Sequence, residues 1–576
     1  MDKFPNPLAE LVWRTRYRHA PPGAEGETGP ADTQARVARA LARGEKDTAG
    51  WRRRFAGILA DYRFLPGGRI LAAAGIGRRP ATLLNCFVMG PVRDDPAALF
   101  RALAEGARTL RLGGGVGWDF SSLAPQGTPL PGGGLAPGPV ACLDLWDAAC
   151  RVVTAGSVRG GAMMGSLSVA HPDILDFIAA KARAAVLPRF NLSVQLPDAF
   201  LAAVAADARW PLGQPESHPA AQLPARMLWN RMLQSMIDWA EPGVLFTDTL
   251  NRENNLWWRE QLSTTNPCGE APLPAYGACD LGSINLAALV RQPFTPGAHI
   301  DTAELEQVAA VAVRLLDNVL DRTRFPLARQ RHEALATRRI GLGVTGLGDA
   351  LAMLGLRYDS DAGRTAAAGI LEQVKLAAYQ ASCSIAADKG TFAAFDAGRY
   401  LSGRFTARLP DGLRREIGRQ GIRNSHLLAV APTGSVSLLA GNVSPGIEPI
   451  PALRQRRKLH DTGSVHELEV ADRAWSLYRE TGAGTGAGAF VEAADVSPED
   501  QLAMLAVLQP HVDGAISKTV LLPADTSVER LGALLERAHH DGLKGFAAYR
   551  PGTGRGGVIG PACALDEHGR AQCDPS

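Results

Sequence analysis

Hydrophobic positions at helical spacing run through residues 301–321, DTAELEQVAAVAVRLLDNVLD. Asp301 and Glu304 precede this run with the three-residue separation of a capping box, which predicts where the helix begins. The apolar side chains that fall on one helical face are Leu305, Val308, Ala312, Leu315 and Val319. The pattern therefore predicts a helix whose apolar side is buried.

Near the C-terminus, short apolar runs flank another helical pattern. Residues 518–523, KTVLLP, and residues 544–550, KGFAAYR, have the length and composition of buried strands. Between them, residues 525–542 repeat apolar positions at helical spacing, and Thr526 and Glu529 have capping-box spacing. Strand, helix and strand in this order predict an α/β core.

The chain divides into three predicted parts. Residues 1–80 combine short helical patterns with a break rich in Pro and Gly, APPGAEGETGPAD, and predict a small helical N-terminal region. Residues 81–550 show no clear linker or repeat, which predicts one large α/β unit. Residues 551–576 are Gly-rich without apolar periodicity and predict a flexible tail that carries Cys563 and Cys573.

The charge balance and the cysteine content exclude several classes of protein. The 61 basic and 58 acidic residues are mixed along the chain and leave a formal charge of +3. A binding surface for duplex nucleic acid or for an anionic membrane is therefore not expected. There is no signal-peptide pattern and no continuous apolar run of about 20 residues, which predicts a cytoplasmic protein. Eight cysteines in 576 residues are too few for a secreted fold held by disulfides.

The stretch TNPCGEAPLPAYGACDLGSINLA, residues 265–287, carries the most distinctive chemistry. Pro267 favours an extended conformation at Asn266, and alternate side chains of an extended segment share a face. Asn266, Cys268 and Glu270 would then direct an amide, a thiol and a carboxylate at one volume, which suits redox chemistry on a polar small molecule. Each residue alone also has an ordinary interpretation, as a turn former, a small buried side chain or a solvated loop residue.

These residues, with Cys279 following them, resemble a known family. NPCGE and CDLGSINLA are similar to the catalytic core of ribonucleotide reductases, in particular the adenosylcobalamin-dependent branch that acts on ribonucleoside diphosphates. Further segments match in the same order, among them LLNCFVMGPVRDD, RLGGGVGWDFSSLAPQG, FNLSV, RRIGLGVTGLGDAL and APTGSVSLLAGNVSPGIEPI, so the resemblance extends from about Phe64 to Arg550. It implies an α/β fold, a ten-stranded α/β barrel with a central finger loop.

The resemblance implies roles for five residues. Cys268 would carry the thiyl radical that abstracts the 3′ hydrogen of the substrate, and Glu270 would take the proton of the 3′-hydroxyl group. Asn266 would hydrogen-bond the substrate hydroxyls. Cys86 and Cys279 would be the dithiol pair that protonates the departing 2′-hydroxyl, supplies the reducing electrons and ends as a disulfide. Their Cα atoms must then approach within about 7 Å.

Two Gly-rich loops are candidates for nucleotide binding. The segment APTGSVSLLAG fits either an ordinary helix start or a phosphate site, and the resemblance makes it the loop for the substrate's diphosphate. Its residues are Pro432, Thr433, Gly434, Ser435, Val436 and Ser437. In AGSVRGGAMMG, Arg159 and Ala162 match the loop that relays the effector's identity to the substrate, although a surface turn also fits. Asp94, or Asp95 beside it, matches the acidic residue that contacts a deoxynucleoside triphosphate or ATP effector across a dimer interface.

The expected cofactor follows from a comparison of the family's branches. The branch with a separate radical-generating subunit passes the radical through adjacent tyrosines near its C-terminus, and none of the eight tyrosines here has a tyrosine neighbour. The glycyl-radical branch carries a C-terminal glycine motif beside a cysteine cluster, a pattern that this chain does not show. Adenosylcobalamin is therefore expected. The alternatives are a large subunit that needs a separate radical-generating subunit and a non-catalytic nucleotide-binding regulator.

The tail cysteines and the partners complete the expectations. Cys563 and Cys573 are predicted to carry electrons from a thioredoxin-like reductant to the active-site disulfide. A zinc site is the alternative, but His568 does not complete four ligands, and no metal site is predicted. The family usually forms homodimers, and the short N-terminus predicts specificity control without overall on/off control. The cysteines expected to be structural are Cys142, Cys150 and Cys383.

Overall fold

The computed structural model describes residues 4–21, 23, 25–77, 81–130, 133–155, 161–182, 186–213, 221–461, 464–482, 486–553, 563–565 and 571–573. Its α-helices are α1 (Pro7–Arg16), α2 (Pro30–Ala42), α3 (Thr48–Leu59), α4 (Gly68–Ala73), α5 (Pro96–Arg111), α6 (Gly138–Val153), α7 (Ile174–Ala179), α8 (Asp198–Ala205), α9 (Ala225–Trp239), α10 (Thr247–Arg252), α11 (Thr302–Arg322), α12 (Ala328–Thr337), α13 (Leu347–Met353), α14 (Asp361–Lys389), α15 (Ala397–Leu401), α16 (Asp411–Gln420), α17 (Gly434–Leu439), α18 (Arg473–Thr481), α19 (Pro498–Leu508) and α20 (Val528–His540).

The strands are β1 (Phe64–Pro66), β2 (Cys86–Val88), β3 (Gly115–Asp119), β4 (Met163–Ser168), β5 (Phe190–Leu196), β6 (Arg209–Pro211), β7 (Gln222–Pro224), β8 (Gly243–Phe246), β9 (Ala278–Asn285), β10 (Val290–Arg291), β11 (His299–Ile300), β12 (Ile340–Thr345), β13 (Arg454–Asp461), β14 (Ser464–Ala471), β15 (Thr519–Leu521), β16 (Gly545–Tyr549), β17 (Cys563–Leu565) and β18 (Ala571–Cys573). The predicted α/β fold, with helices first and a large sheet after them, is confirmed.

The helical N-terminal region consists of α1, α2 and α3 and is fixed to the rest of the protein by a buried charge network. Glu45 accepts hydrogen bonds from Arg314 at 2.7 and 2.9 Å, from Asn318 at 2.8 Å and from Lys389 at 2.7 Å. Burial raises the pKa of Glu45, but these donors outweigh it and lower the pKa to about 2. An ionised carboxylate therefore connects the loop after α2 to α11 and α14.

Ten strands join in one sheet, in which β1 pairs antiparallel with β9 and the other nine form parallel sets. Strands β2, β3, β4, β5 and β8 run parallel in this order. Strands β9 and β12 are parallel to each other, as are β15 and β16. The sets meet antiparallel at two places, where β2 pairs with β9 and where β8 pairs with β16.

Residues 427–430 link the two outer strands of this sheet. Leu428 bridges to Leu342 of β12, and Val430 bridges to Ile516, which lies just before β15. Backbone hydrogen bonds accompany both bridges, from Ala429 N to Leu342 O at 3.1 Å and from Val430 N to Ala515 O at 3.1 Å. Strand pairing therefore runs around the whole barrel domain and returns to β9.

A loop between α10 and β9 passes through the interior of this strand arrangement. Its carbonyl group at Thr265 lies so close to β3 that a Cβ atom on Gly117 would be 1.9 Å from the oxygen. Pro267 lies in the same way against Gly115, at 3.1 Å from the position of a Cβ atom. Two glycines of the run GGGVG, Gly115 and Gly117, are therefore required so that the loop can pack against the backbone of β3.

The predicted elements are confirmed, with one correction to a helix cap. Helix α11 begins at the predicted site, and Asp301 accepts a hydrogen bond from Glu304 N at 3.0 Å. Strand β15, helix α20 and strand β16 occupy the predicted strand, helix and strand. The prediction that Thr526 caps α20 is wrong, because Ser527 is the N-cap and accepts from Arg530 N at 3.2 Å, whereas Thr526 bonds back to a turn carbonyl.

Replacing Gly117 with alanine should displace the loop at Thr265. The added methyl group would meet a backbone oxygen, and we expect the free energy of unfolding to fall by about 1–3 kcal/mol, measured as a lower melting temperature or denaturant midpoint. Gly369→Ala in α14 is the control, because a Cβ atom there meets nothing within 4 Å. Its higher helix propensity predicts a gain of roughly 0.5–1 kcal/mol. Equal stability of the Gly117→Ala protein and the wild type would contradict this packing.

Candidate active site

The loop that enters the barrel is a hairpin with Cys268 at its tip; we refer to residues 263–277 as the finger. Thr265 and Pro272 form an antiparallel bridge, and Gly269 N donates to Asn266 O at 3.1 Å. Gly269 has a φ of +88°, a conformation that glycine adopts without strain. The predicted extended conformation from Asn266 to Glu270 is therefore wrong, because the chain reverses direction after Pro267.

Because of this reversal, the three predicted residues differ in their exposure to solvent. Cys268 is exposed at the tip, whereas Asn266 and Glu270 are each 1% exposed. Asn191 of β5 holds the tip from below, and its side-chain amide donates to Pro267 O at 2.7 Å. Consequently the thiol at the tip faces the open part of the barrel, and the amide and carboxylate face its interior.

Cys86 and Cys279 are opposite each other on neighbouring strands. They are register partners of the antiparallel pair β2 and β9, and both are buried thiols. Directly opposed residues in antiparallel strands have Cα atoms roughly 4.5–5.5 Å apart, within the range that a disulfide spans. The distance required of a dithiol pair is therefore met by the strand register.

Asn266 connects the finger to this cysteine pair. Its side-chain nitrogen donates to Cys86 Sγ at 3.1 Å, and its side-chain oxygen accepts from Ala271 N at 3.0 Å. The second bond lies within the hairpin, so it fixes the orientation of the amide. The amide group therefore sets the position of the finger relative to β2.

Glu270 lies on the other side of the Cys86 sulfur. Cys86 Sγ donates to Glu270 Oε1 at 3.7 Å, and Glu270 Oε2 has no hydrogen-bond partner among the described residues. The main chain of Glu270 is held from the opposite half of the barrel, because Ala515 N donates to its carbonyl at 3.0 Å. One carboxylate oxygen is thus available for a further partner.

Burial dominates the protonation of this group of side chains. It raises the pKa of Glu270, while the amide of Asn266 acts in the opposite direction. It also raises the pKa values of Cys86 and Cys279 well above the ordinary thiol value, and the neighbouring carboxylates Glu270 and Asp280 add to the effect. Both buried cysteines are therefore neutral thiols near pH 7.

Cationic side chains lie behind the finger, around a cavity of about 20 Å³ lined by Glu270 and Cys279 among others. Arg339 lines it and lowers the pKa of Cys279 against the effect of burial. Lys544 lines it as well, and burial lowers its pKa to about 8. His426, which accepts from Arg339 at 3.1 Å, has a pKa well below its usual value because it is buried. Arg339 is paired with Glu260, and burial keeps His426 neutral near pH 7, so Arg339 and Lys544 are the basic groups on this side of the cavity.

A larger cavity of about 290 Å³ opens above the finger. Cys268 and Gly269 line it together with Pro432, so it extends from the tip thiol to the loop that follows residue 431. Its far wall includes Val244 and Phe546, on strands where the two halves of the barrel meet. A small molecule in this cavity can therefore contact the exposed thiol and this loop together.

The predicted diphosphate loop begins the short helix α17. Thr433 has a φ of +47°, and its hydroxyl is held by Thr345 at 2.9 Å and by Gly446 N at 2.8 Å. Ser437 donates to Gly434 O at 3.0 Å, and Gly434 is exposed with open space around its α-carbon. Two hydroxyl groups therefore shape the loop, and the exposed glycine gives access to its backbone.

The other predicted nucleotide-binding residues lie earlier in the chain, in the first half of the barrel domain. Asp94 accepts a hydrogen bond from Ala124 N at 2.7 Å, whereas Asp95 caps α5 through Ala98 N at 2.7 Å. Ala162 is exposed and accepts from Val116 N of β3 at 3.2 Å. Arg159 lies outside the described residues. Of the two acidic candidates, Asp95 is thus occupied as a helix cap.

The tail cysteines are described by their backbone alone. Cys563 and Cys573 are register partners of the antiparallel strands β17 and β18, and β17 pairs with β13. His568 lies outside the described residues. Cys142, Cys150 and Cys383 are buried in helices α6 and α14, in agreement with their predicted structural role. Among the side chains that the structure describes, no group of His, Cys, Asp or Glu is arranged to hold a metal ion.

Sequence reasoning missed the residues that hold the finger and surround it. Asn191 occurs in FNLSV, and Gly115 and Gly117 occur in RLGGGVGWDF; both segments contributed to the family resemblance, but without assigned functions. A polar residue or glycine within an otherwise apolar strand was the available signal. Arg339 and Lys544 gave no comparable signal, since single basic residues at strand starts are common.

Comparison with known proteins gives a consistent result. A family profile described as "Ribonucleotide reductase, barrel domain" matches residues 84–549, and one described as "Ribonucleotide reductase, all-alpha domain" matches residues 3–79. The chain is 37% identical over 585 residues to the "Vitamin B12-dependent ribonucleoside-diphosphate reductase" of Mycobacterium tuberculosis strain CDC 1551, covering 96% of this chain and 80% of the relative. The protein of that name from Thermoplasma acidophilum is 32% identical over 521 residues, or 86% and 65% of the two chains.

A relative with a different name is less similar. The "Ribonucleoside-diphosphate reductase subunit alpha" of Chlamydia trachomatis is 26% identical over 493 residues, which are 75% of this chain and 46% of the relative.

Mild oxidation of the native protein with a small reagent that oxidises thiol pairs should join Cys86 to Cys279. The strand register places these two sulfurs on opposed residues, and the oxidant removes two hydrogen atoms as the S–S bond forms. Peptide mapping by mass spectrometry under non-reducing conditions reports the link. The Cys279→Ser protein is the control and should lack it. If oxidation links other cysteines and leaves this pair reduced, the proposed geometry of the pair is wrong.

Proposed function

The chain belongs to the ribonucleotide reductase family, and we propose that it is an adenosylcobalamin-dependent enzyme that reduces ribonucleoside diphosphates to 2′-deoxyribonucleoside diphosphates, the precursors of DNA. One observation carries the proposal: two buried thiols lie on opposed strand residues, one of them, Cys86, is hydrogen-bonded to an amide and a carboxylate of the finger, and the finger's tip presents a third thiol to a cavity. The alternative large subunit with a separate radical source is less well supported, because the relatives from Mycobacterium tuberculosis and Thermoplasma acidophilum, which are named for vitamin B12, are more similar to this chain than the subunit alpha of Chlamydia trachomatis.

The proposed reaction gives a role to each of the three thiols and to the carboxylate. Cys268, as a thiyl radical, takes the 3′ hydrogen atom of the ribose, and Glu270 accepts the proton of the 3′-hydroxyl group. The 2′-hydroxyl group then leaves as water with a proton from the dithiol pair. One thiol of the Cys86 and Cys279 pair gives this proton, and the other gives a hydrogen atom to the 2′ carbon. The pair then passes its remaining electron to the 3′ position and becomes a disulfide, while Glu270 returns its proton to the 3′ oxygen and Cys268 returns its hydrogen atom to the 3′ carbon. The net change is one substrate and two thiols converted to one deoxy product, one disulfide and one water.

The raised pKa values suit these roles. A thiol with a raised pKa keeps its proton, so it has one to give to a departing hydroxyl group. A carboxylate that is desolvated is a stronger base than one in water, and the burial of Glu270 raises its pKa in this way. Asn266 already donates to Cys86, so it can orient the thiol while its neighbours react.

The surroundings of Cys268 fit the proposed cofactor. The tip thiol is exposed to a cavity of about 290 Å³, and Gly269 beside it leaves the approach to the sulfur unobstructed. The cavity wall at Met164, Val244 and Phe546 offers apolar surface for a flat nucleoside group, and these residues would hold it. When bound, adenosylcobalamin supplies a carbon-centred radical that removes the hydrogen atom of a thiol.

The remaining partners follow from the same proposal. Substrate diphosphate would be bound by the loop from Pro432 to Ser437, which shares the cavity with Cys268. Asp94 would contact a deoxynucleoside triphosphate or ATP effector, and Arg159 and Ala162 would relay its identity. Exposed apolar side chains on the contacting helices α5 and α6 support a homodimer, since Phe100 of α5 is 60% exposed and Val152 of α6 is 66% exposed.

We assign the helical N-terminal region to residues 1–80, the barrel to 81–550 and the tail to 551–576. Cys563 and Cys573 would exchange electrons with a thioredoxin-like reductant, and their opposed backbone positions support a reversible disulfide between them. A cytoplasmic location would keep these thiols reduced between cycles. No helix in the described parts of the chain is both long and apolar enough to cross a bilayer.

The purified chain should form dCDP anaerobically from CDP with adenosylcobalamin and a dithiol and no second protein. Cys268→Ser should reduce turnover to background, because an alcohol O–H bond does not yield its hydrogen atom to the same chemistry, while CDP binding measured by calorimetry is unchanged. Cys142→Ala, which removes a buried sulfur outside the site, should keep most of the activity. Turnover that requires an added radical-generating subunit, or an active Cys268→Ser protein, would refute the proposal. CTP in place of CDP tests the preference for diphosphates.

The pH dependence of kcat/KM should show a shifted acid limb. Glu270 must be ionised to accept a proton, and its raised pKa means that activity falls, with decreasing pH, at a higher pH than for an ordinary glutamate. The alkaline limb should lie above the usual thiol range, because Cys86 and Cys279 hold their protons more tightly. Glu270→Gln should reduce turnover to background at every pH, because the amide cannot accept the proton. An acid limb at the ordinary carboxyl pKa would argue against Glu270 as the base.

A further inference from the structure

The helical N-terminal region touches the predicted diphosphate loop through one hydroxyl group. Tyr17, directly after α1, is 2% exposed, and its hydroxyl lies 2.6 Å from the hydroxyl of Ser435 in α17. The two residues are 418 positions apart in the chain. The bond therefore depends on how the N-terminal region packs against the barrel.

Helix α1 is fixed at this place by contacts at both of its ends. At its start, the side chain of Asn6 caps the helix at Ala9 N and also donates to Gly441 O, at 3.1 Å, just beyond α17. At its end, Tyr17 N donates to Trp13 O at 2.9 Å, and Arg36 from α2 donates to Tyr17 O at 3.4 Å. The tyrosine ring thus has little freedom to move away from Ser435.

The loop hydroxyls divide into two kinds. Those of Thr433 and Ser437 bond to groups of the loop or of the strand next to it, so they maintain its shape. Ser435 is half-buried beside the exposed Gly434 and receives a contact from another region of the protein. A serine hydroxyl rotates freely unless a neighbour selects one orientation.

We propose that Tyr17 is a positioning residue for the diphosphate of the substrate: its hydroxyl donates to Ser435 Oγ, so that the hydrogen of Ser435 is directed to a phosphate oxygen. The inference rests on the proposed function, because it requires the loop to bind phosphate. A hydroxyl that accepts one hydrogen bond becomes a better donor in the next, and the short separation favours this cooperation. The helical region is then part of the substrate site.

This role differs from that of a residue that only holds α1 in place. Loss of packing would loosen the whole helix, whereas loss of the hydroxyl alone removes only the hydrogen bond that Tyr17 contributes to the orientation of Ser435. The effect should appear in the binding of the nucleotide and leave the radical chemistry at Cys268 unchanged. Tyr17→Phe keeps the ring and removes only the oxygen, so it separates the two possibilities.

Tyr17→Phe should raise the KM and the Kd for CDP roughly 2- to 10-fold with kcat unchanged, as expected for the loss of one hydrogen bond. Ser435→Ala should have an effect of similar size. In the double variant, Tyr17→Phe should add nothing to Ser435→Ala, because both substitutions remove the same interaction. Calorimetric titration with CDP measures the Kd without cofactor turnover.

Thr33→Val is the control for a loosened helix. It removes a buried hydroxyl that accepts from Trp13 of α1 at 2.9 Å, but it leaves Tyr17 intact. Its Kd for CDP should equal that of the wild type. A crystal structure with CDP, in which Ser435 Oγ lies within hydrogen-bond distance of both Tyr17 and a phosphate oxygen, would support the proposal independently of the variants.

Three results with the variants would overturn the inference: a wild-type Kd in Tyr17→Phe, a full additional effect in the double variant, or an equal loss in Thr33→Val. Phosphate placed away from Ser435 in the crystal would do the same. A wild-type protein that neither binds nor reduces CDP would instead refute the proposed function itself. The two failures are therefore distinguishable.

Discussion

The antiparallel pairing of β2 with β9 determines what the centre of this protein can do. It sets Cys86 opposite Cys279, and it is also one of the two places where the parallel halves of the sheet meet. A shift of the register by one residue would turn one of the cysteines to the other face of the sheet, because side chains alternate along a strand. The finger is then positioned from this pair, since Asn266 donates to Cys86 and Glu270 accepts from it.

Exclusion of water gives these side chains their properties. A thiol and a carboxylate at a surface would both be ionised or solvated near neutral pH, and their proton affinities would be ordinary. Behind the finger, burial raises the pKa values of both thiols and of Glu270 in the same direction, so the site holds protons on sulfur and retains a strong base. Arg339 partly offsets this effect at Cys279, because its positive charge favours the thiolate.

The sequence predicted the elements and the chemical residues better than it predicted local geometry. The periodicity around α11 and the strand, helix and strand at the C-terminus were readable, because burial on one face leaves a regular pattern. The conformation of the finger was not readable, since Pro267 favours extension while Gly269 permits the reversal that puts Cys268 at the tip. The opposition of Cys86 and Cys279 came from family resemblance, because register between strands nearly two hundred residues apart leaves no local signal. The contact of Tyr17 with Ser435 was missed for the same reason.

Glycines occur in the barrel strands where close packing around this site matters more than strand propensity. Glycine weakens a strand, yet a Cβ atom on Gly341 would be 2.9 Å from Ala429 and 3.4 Å from the sulfur of Cys279, and one on Gly343 would be 2.5 Å from the carbonyl oxygen of Ala429. Together with Gly117 under the finger, they let backbone segments approach the dithiol pair more closely than side chains allow. These glycines lower the strand propensity, but they allow the finger and residues 427–430 to fit inside one barrel. Residues that are unfavourable for a strand are therefore the ones that make room for the two buried thiols.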